Sequence, residues 1–240
     1  MKTTRNIIDD HVAILDDGIK KEELTRFLEG MEDDLDRAPA SSKLAYHHAY
    51  QGGLCAHIVD MIQTATALWS GTTMDDMDGE GKSINLDSII TVSILHDIHK
   101  VRDLSGNPMY VDNILQSGAT SEKVPYKINE EYYNWENSKL VKDLENSPYL
   151  DTNGECKGLL WILKNEFSMK NGGIKSLALI ASEAPNLLSV LSDSEINAIK
   201  YHGGAYETSK FELQGKEDLL MILMHAADML SSRYEDETIA

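Results

Sequence analysis

The run SILHDIHKV, from Ser93 to Val101, places His96, Asp97, His99 and Lys100 in quick succession at the end of an apolar stretch. Ionisable groups buried in such a stretch are costly unless they are paired or hold a metal. Two other apolar segments raise the same question. In GGLCAHIVDM, His57 follows Leu54 by three positions and precedes Met61 by four, on or beside a buried stripe. In DLLMILMHAADML, Asp228 shares a face with Met224 and Met221, where a carboxylate without a cation is unfavourable. A single histidine on an apolar face is more often a hydrogen-bonded core residue than a ligand. Three apolar segments that each carry histidine or aspartate change that balance, and His57, His96, Asp97 and Asp228 are read together as ligands of one metal ion. Adjacent side chains diverge by about 100° on a helix, so His96 and Asp97 can share an ion only where helices cross. Mixed imidazole and carboxylate ligation suits Mn, Fe, Co, Ni or Zn better than Ca. Lys100 is read either as a point charge for a phosphate oxygen or as a solvated lysine favoured by a helix C-terminus.

These residues need helices to position them. Leu54, Ile58, Met61, Ile62, Ala65 and Leu68 have three- and four-residue spacing between Gly52-Gly53 and Gly71, which predicts one helix. Asn85 or Asp87 is a fitting N-cap for a second helix, Leu86 to Ile98. Val12 to Gly30 predicts one or two short helices interrupted near Gly18, and Met31 to Ala40 a helix end or loop. Helical spacing also marks Ile174 to Glu183, Ser194 to Lys200 and Asp218 to Arg233, with Pro185 as punctuation, and a further helix is expected over Gly158 to Met169. Thr72 to Lys82 reads as an acidic loop. Between Val101 and Asn134 the pattern decays into turn signals and tyrosines, which fits a small β insertion or an irregular excursion. The fold class is therefore mainly α.

Composition narrows the partners. A chain of 240 residues that is 42% hydrophobic with 5 prolines is ordinary for a folded protein. Forty acidic against 22 basic residues give a formal net charge of -18, which argues against nucleic-acid backbone and anionic lipid as partners. A small anionic substrate remains compatible, because a local nest of lysine, histidine and metal overrides the global field within a cleft. Cys55 and Cys156 are too few for a disulfide framework, and neither has a second cysteine at metal-binding spacing. With no apolar leader near the first residues and no apolar run approaching ~20 residues, the expectation is a cytoplasmic protein without a membrane span. Homo-oligomerisation is left open.

The ordered set His57, His96-Asp97, Asp228 resembles the H...HD...D signature of the HD-domain superfamily of metal-dependent phosphohydrolases. PASSKLAYHHAYQGGLCAHIVDM, from Pro39, resembles the segment that leads into the first ligand helix of that superfamily; ILHDIHKV resembles its usual LLHDIGKV, KYHGGAYE its later His-Gly segment, and HAADMLSSR its final aspartate helix. The resemblance covers about residues 39–233 and implies a single HD-type helical domain over 1–240, with 1–38 as an N-terminal helical extension. It also implies one or two divalent metal ions and water activated by metal for attack on a phosphomonoester or phosphoanhydride of a nucleotide. Phosphodiester cleavage of a cyclic or short oligonucleotide, and a non-hydrolytic nucleotide sensor, are the alternatives.

Asp97 is then the catalytic carboxylate, with Lys100 beside it. His202 is a candidate substrate contact and a candidate ligand of a second ion. His47 and His48, in YHHAY, are candidates for substrate contact or proton transfer against capping roles; Arg102, Lys43 and Lys175 are candidate phosphate contacts against ordinary solvated cations. Tyr201 and Tyr206 could wall a base or pack an interface. Two departures stand out. His99 occupies a position where relatives keep glycine, and is open between a partner of the metal residues, a substrate contact and a surface residue. NGGIKS places Gly172 where relatives with a GHGEKS-like segment carry a histidine.

Overall fold

Thr3, Asp17, Asn85, Asn171, Ser192 and Asp218 each stand just ahead of a helical run, and the side chain of each accepts a backbone N–H from the turn that follows. Caps of this kind satisfy donors that a helix N-terminus leaves without partners, each worth about 1 kcal/mol. The described helices are α1 (Thr4–Ala13), α2 (Gly18–Glu29), α3 (Glu32–Leu35), α4 (Gly53–Ser70), α5 (Leu86–Leu95), α6 (Gly172–Glu183), α7 (Pro185–Val190), α8 (Asp193–Tyr201) and α9 (Leu219–Ser231), of which α3, α4 and α7 start without such a cap. A 3-10 turn spans Ile98–Lys100. The computed structural model describes residues 3–41, 47–48, 50–71, 84–112, 127–128, 131–134, 139–141, 161–163, 171–204 and 217–233. Cys156, Lys43, Tyr206 and the acidic loop at 72–82 lie outside the described residues.

One hydrophobic cluster holds the helices together. Leu54, Ile58, Met61 and Ala65 line the buried face of α4, while Gln63 and Ala67 on the other side are exposed. Burying each of the larger side chains contributes about 1.5–3 kcal/mol. α4 packs on α9, α5 and α1; α8 packs on α9 and α6, and α2 on α7. Ile8, Val12, Leu24 and Leu28 belong to the same cluster, so the helices before residue 39 share the core that surrounds His57 and His96. Two polar contacts fasten them. Asp87, in the first turn of α5, accepts the backbone N–H groups of Asp16 and Asp17. The Lys20 ammonium meets the Glu195 carboxylate at 2.7 Å with both side chains buried, and Glu195 also closes the capping box of α8 with Ser192.

The structure moves several expected boundaries. α1 begins at Thr4, well before Val12, and the break near Gly18 falls just ahead of it, because Asp17 caps α2 with Gly18 as its first residue. α5 stops at Leu95 rather than Ile98: Asp97 leaves the helix at φ −113°, ψ 14° before the chain tightens into the 3-10 turn. Pro185 starts α7 instead of only ending α6, in the first-turn position where proline's missing N–H costs nothing. The helix expected over Gly158 to Met169 is replaced, where described, by a strand at Trp161–Leu163. Short strands do occupy the expected insertion, and they continue past Asn134. β1 (Tyr110–Asp112) pairs antiparallel with that Trp161–Leu163 strand, while β2 (Lys127–Ile128), β3 (Glu131–Asn134) and β4 (Lys139–Val141) form a separate antiparallel sheet. The described residues are mostly helical, and among them no helix is long and apolar enough to cross a membrane.

Candidate metal centre

His57, four residues into α4, and His96, at the C-cap of α5, face each other across the helix crossing with their Nε2 atoms 3.2 Å apart. Neither is exposed. His96 Nδ1 lies 2.8 Å from the Ser93 carbonyl, which can only accept, so Nδ1 carries the hydrogen and the Nε2 lone pair points at His57. Asp97 Oδ2 lies 3.4 Å from His96 Nε2 and 3.9 Å from His57 Nε2. The turn out of α5 is what brings that carboxylate back to the side of His96, which neighbouring positions within one helix would not do. Asp228, on α9, places Oδ1 3.3 Å from His57 Nε2. His57, His96 and Asp97 thus offer ligand atoms within 4.8 Å of one another and could hold a metal ion, with Asp228 adjoining. Acceptors converging in a buried space fit a cation, and the donor set of two imidazoles with carboxylates suits a transition metal. This helical arrangement is compatible with an HD-like site.

The electrostatics follow from the crowding. Burial works against the charged form of Asp97, yet Lys100 and His96 outweigh it and hold the carboxyl well below the usual carboxylate range. Lys100 Nζ is 2.6 Å from Asp97 Oδ2. Asp228 is likewise held low, with His57 and His96 overcoming its burial. Burial lowers His57 despite the Asp228 carboxylate, whereas in His96 the Asp97 and Asp228 carboxylates win over burial and raise the imidazole.

A cavity of about 320 Å³ opens beside these residues. His47, Lys100 and His202, all expected from the sequence, line it together with Asp97 and Asp228. His47 Nε2 is buried with no hydrogen-bond partner among the described residues, and its ring sits 4.8 Å from that of His57. His202 gives its Nδ1 hydrogen to the Ile199 carbonyl and turns Nε2 toward Asp97 Oδ1, 3.6 Å away. His48 and Arg102 are not brought to the cavity. His48 Nε2 is engaged by the Asp60 carboxylate at 2.9 Å, and Arg102 pairs with Glu183 and Asp34. His99 is not a surface residue: it is buried and lines the cavity, with Nδ1 3.0 Å from Ser176 Oγ. Gly172 is the buried first residue of α6.

Two lining residues, His225 and Arg233, and one residue nearby, Tyr110, had no role assigned from the sequence. His225 donates from Nδ1 to the His202 carbonyl at 2.5 Å; its position three residues before Asp228 was the available signal. Arg233 lines the mouth, and Tyr110 lies close enough to Lys100 and Asp97 to feel their charges, with burial raising its hydroxyl pKa first of all. Neither announces itself by spacing. Comparison with family models, curated proteins and solved structures finds no match to this chain.

A pH dependence follows. Burial lowers His47 and His99 to about 3, in His99 against the pull of Asp97, while in the unfolded chain each titrates near ~6.5. Between those values the unfolded state binds protons that the native state refuses, so stability falls as pH falls, by about 1.4 kcal/mol per pH unit for each group. The raised His96 has the opposite sign: its contribution is present at low pH and lost as pH rises through its folded value. The two depressed carboxylates keep theirs until pH drops below their ordinary range. Urea unfolding of metal-free protein at pH 7 and pH 5 should show the loss, and His99→Gln should reduce it by roughly 1 kcal/mol per unit averaged over that range. An unchanged slope in that variant would count against the buried neutral His99.

Proposed function

We propose that the cavity is the active site of an HD-type, metal-dependent phosphohydrolase that removes phosphate from a small nucleotide ester or anhydride. The observation that carries this reading is the meeting of His57, His96, Asp97 and Asp228 at one buried crossing, beside a cavity whose wall adds Lys100, Arg233 and four histidines in a chain of net charge -18. The two carboxylates of the described wall, Asp97 and Asp228, belong to or adjoin the metal cluster, so a bound divalent cation would offset their charge and leave Lys100, Arg233 and the imidazole hydrogen-bonding groups facing the cavity. An anion is welcome there although the surface at large repels it.

A divalent cation held by His57, His96 and Asp97, with Asp228, supplies Lewis acidity for the phosphoryl group and for water. The chain's own residues do the rest. Lys100 fixes Oδ2 of Asp97, which leaves Oδ1 on the His202 side to accept a hydrogen bond from an attacking water and aim it. The same ammonium is placed to share its charge with a phosphoryl oxygen. His47 Nε2, buried and without a partner among the described residues, is a hydrogen-bonding group for the phosphoryl or leaving oxygen. The burial of His57 and His96 keeps bulk water from competing for the same atoms.

The test is phosphate release from nucleoside mono-, di- and triphosphates and cyclic dinucleotides by protein loaded in turn with Mn2+, Co2+, Ni2+, Fe2+ or Zn2+. We expect phosphate from at least one mononucleotide, loss of release on chelation, and recovery on adding the metal back. Cleavage confined to the cyclic dinucleotides would move the assignment to phosphodiesterase. Tight nucleotide binding with no cleavage under any metal would replace catalysis with sensing.

A further inference from the structure

Ser176, on α6, touches the ligand-bearing turn on both sides of Asp97. Its Oγ lies 2.7 Å from the His96 carbonyl, 3.3 Å from the His99 backbone nitrogen and 3.0 Å from His99 Nδ1, and the residue is fully buried. A serine hydroxyl has one hydrogen and the carbonyl can only accept, so that hydrogen goes to His96. Oγ must then accept from His99, from its backbone N–H and from Nδ1–H. One atom thereby ties the residue before Asp97 to the residue two after it, across the stretch where the chain leaves α5 and tightens into the 3-10 turn.

The same helix grips a second ligand-bearing element. A Cβ on Gly173 would lie 2.1 Å from the Ile199 carbonyl oxygen and 2.6 Å from that of Lys200, so α6 runs against the end of α8 closer than any side chain permits. His202 follows at the C-cap of α8. α6 supplies none of the atoms at the His57–His96 crossing, yet it abuts both the turn of Asp97 and the end that presents His202, whose Nε2 and Oδ1 face each other at 3.6 Å.

We propose that Ser176 is a positioning residue for the metal centre: by bridging His96 and His99 it holds the Asp97 carboxylate in the orientation that cation binding requires, with α6 acting as the brace between Asp97 and His202. This rests on the metal-centre reading above. Groups that orient metal ligands from behind typically change metal affinity by roughly 10–100-fold when removed. A residue that only filled space would alter folding stability and leave the affinity of the folded protein alone.

The experiment compares the native chain with Ser176→Ala and Ser176→Cys, titrating Mn2+ by calorimetry and recording the visible spectrum of the Co2+ form, at a temperature where circular dichroism shows each protein folded. The alanine variant should bind Mn2+ at least tenfold more weakly, with altered Co2+ bands. The cysteine variant keeps nearly the same volume but offers a weaker donor and acceptor, so it should fold even if alanine does not, and still lose affinity severalfold. Affinity within twofold of native with the same Co2+ spectrum, in whichever variant folds, overturns the role of Ser176. Failure of the native chain itself to take up either ion overturns the metal-centre reading, and this inference with it.

Discussion

Asp97→Asn should bind Mn2+ or Co2+ roughly a hundred- to a thousandfold more weakly than the native chain and release no measurable phosphate. The substitution keeps the shape of the side chain and removes one charge from the middle of the cluster. Asp97 is the residue with most to lose: Oδ2 meets His96 Nε2 at 3.4 Å and Lys100 Nζ at 2.6 Å, and Oδ1 meets His202 Nε2 at 3.6 Å. Breaking a buried charge pair by removing one partner costs about 3–5 kcal/mol, and the lower part of that range, about 3–4 kcal/mol, corresponds to the stated change in affinity. Lys100 would also be left beside an amide, so the metal-free variant should unfold at lower urea. The two effects separate by adding metal. A cation at a hundred times its dissociation constant stabilises a native protein by about 2.7 kcal/mol; that rise should appear in the native chain and vanish in the variant. A variant that still gained the full increment would place the ion elsewhere.

Gly53→Ala should destabilise the chain by about 3 kcal/mol, a large effect for the smallest possible side-chain addition. A Cβ there would sit 1.9 Å from the His48 carbonyl oxygen and 2.8 Å from its carbon, both backbone atoms that no rotamer change can move aside. That carbonyl already accepts the Ala40 N–H, and Leu54 donates to the Ala38 carbonyl, so the segment before α4 is held on both sides. Yielding would shift either the start of α4, four residues ahead of His57, or the turn that carries His47 into the cavity. Chemical denaturation gives the stability and Mn2+ titration of the folded fraction gives the second consequence, weaker binding. Native-like stability in Gly53→Ala would mean that this approach is looser than described.

The parts of this molecule that local rules govern were legible in the sequence. α4 was bounded by its glycines and its buried stripe, α5 begins at Leu86 after Asn85, one of its two candidate caps, and Asp228 stood out as a carboxylate among methionines and leucines. What distant residues decide was not legible. The end of α5 depends on Ser176, which bonds to His96 and His99 from 80 and 77 positions away, and a serine in a helix gives no sign of that. His47 and His48 are neighbours of one residue type, yet one faces the cavity and the other Asp60; a positive φ of 49° at His48 and the carboxylate on α4 make that choice. Pro185 looked like a stop because proline forbids a preceding helix more visibly than it starts the next one. The His57, His96 and Asp97 cluster was readable because burying charge is expensive wherever it happens, whereas the wall around it is assembled from side chains whose types are common on any surface.

The Lys20–Glu195 pair sets a timetable for biosynthesis. The two residues are 175 positions apart, which at roughly 5–20 residues per second separates their synthesis by about 10–35 s. Until that interval closes α2 lacks the carboxylate that its buried ammonium meets in the native fold, and α4, made within the interval, still lacks α9. Native order in the first helices therefore waits for nearly the last, and a ribosome that pauses before residue 195 leaves the amphipathic helices α1 and α2 as clients for chaperones.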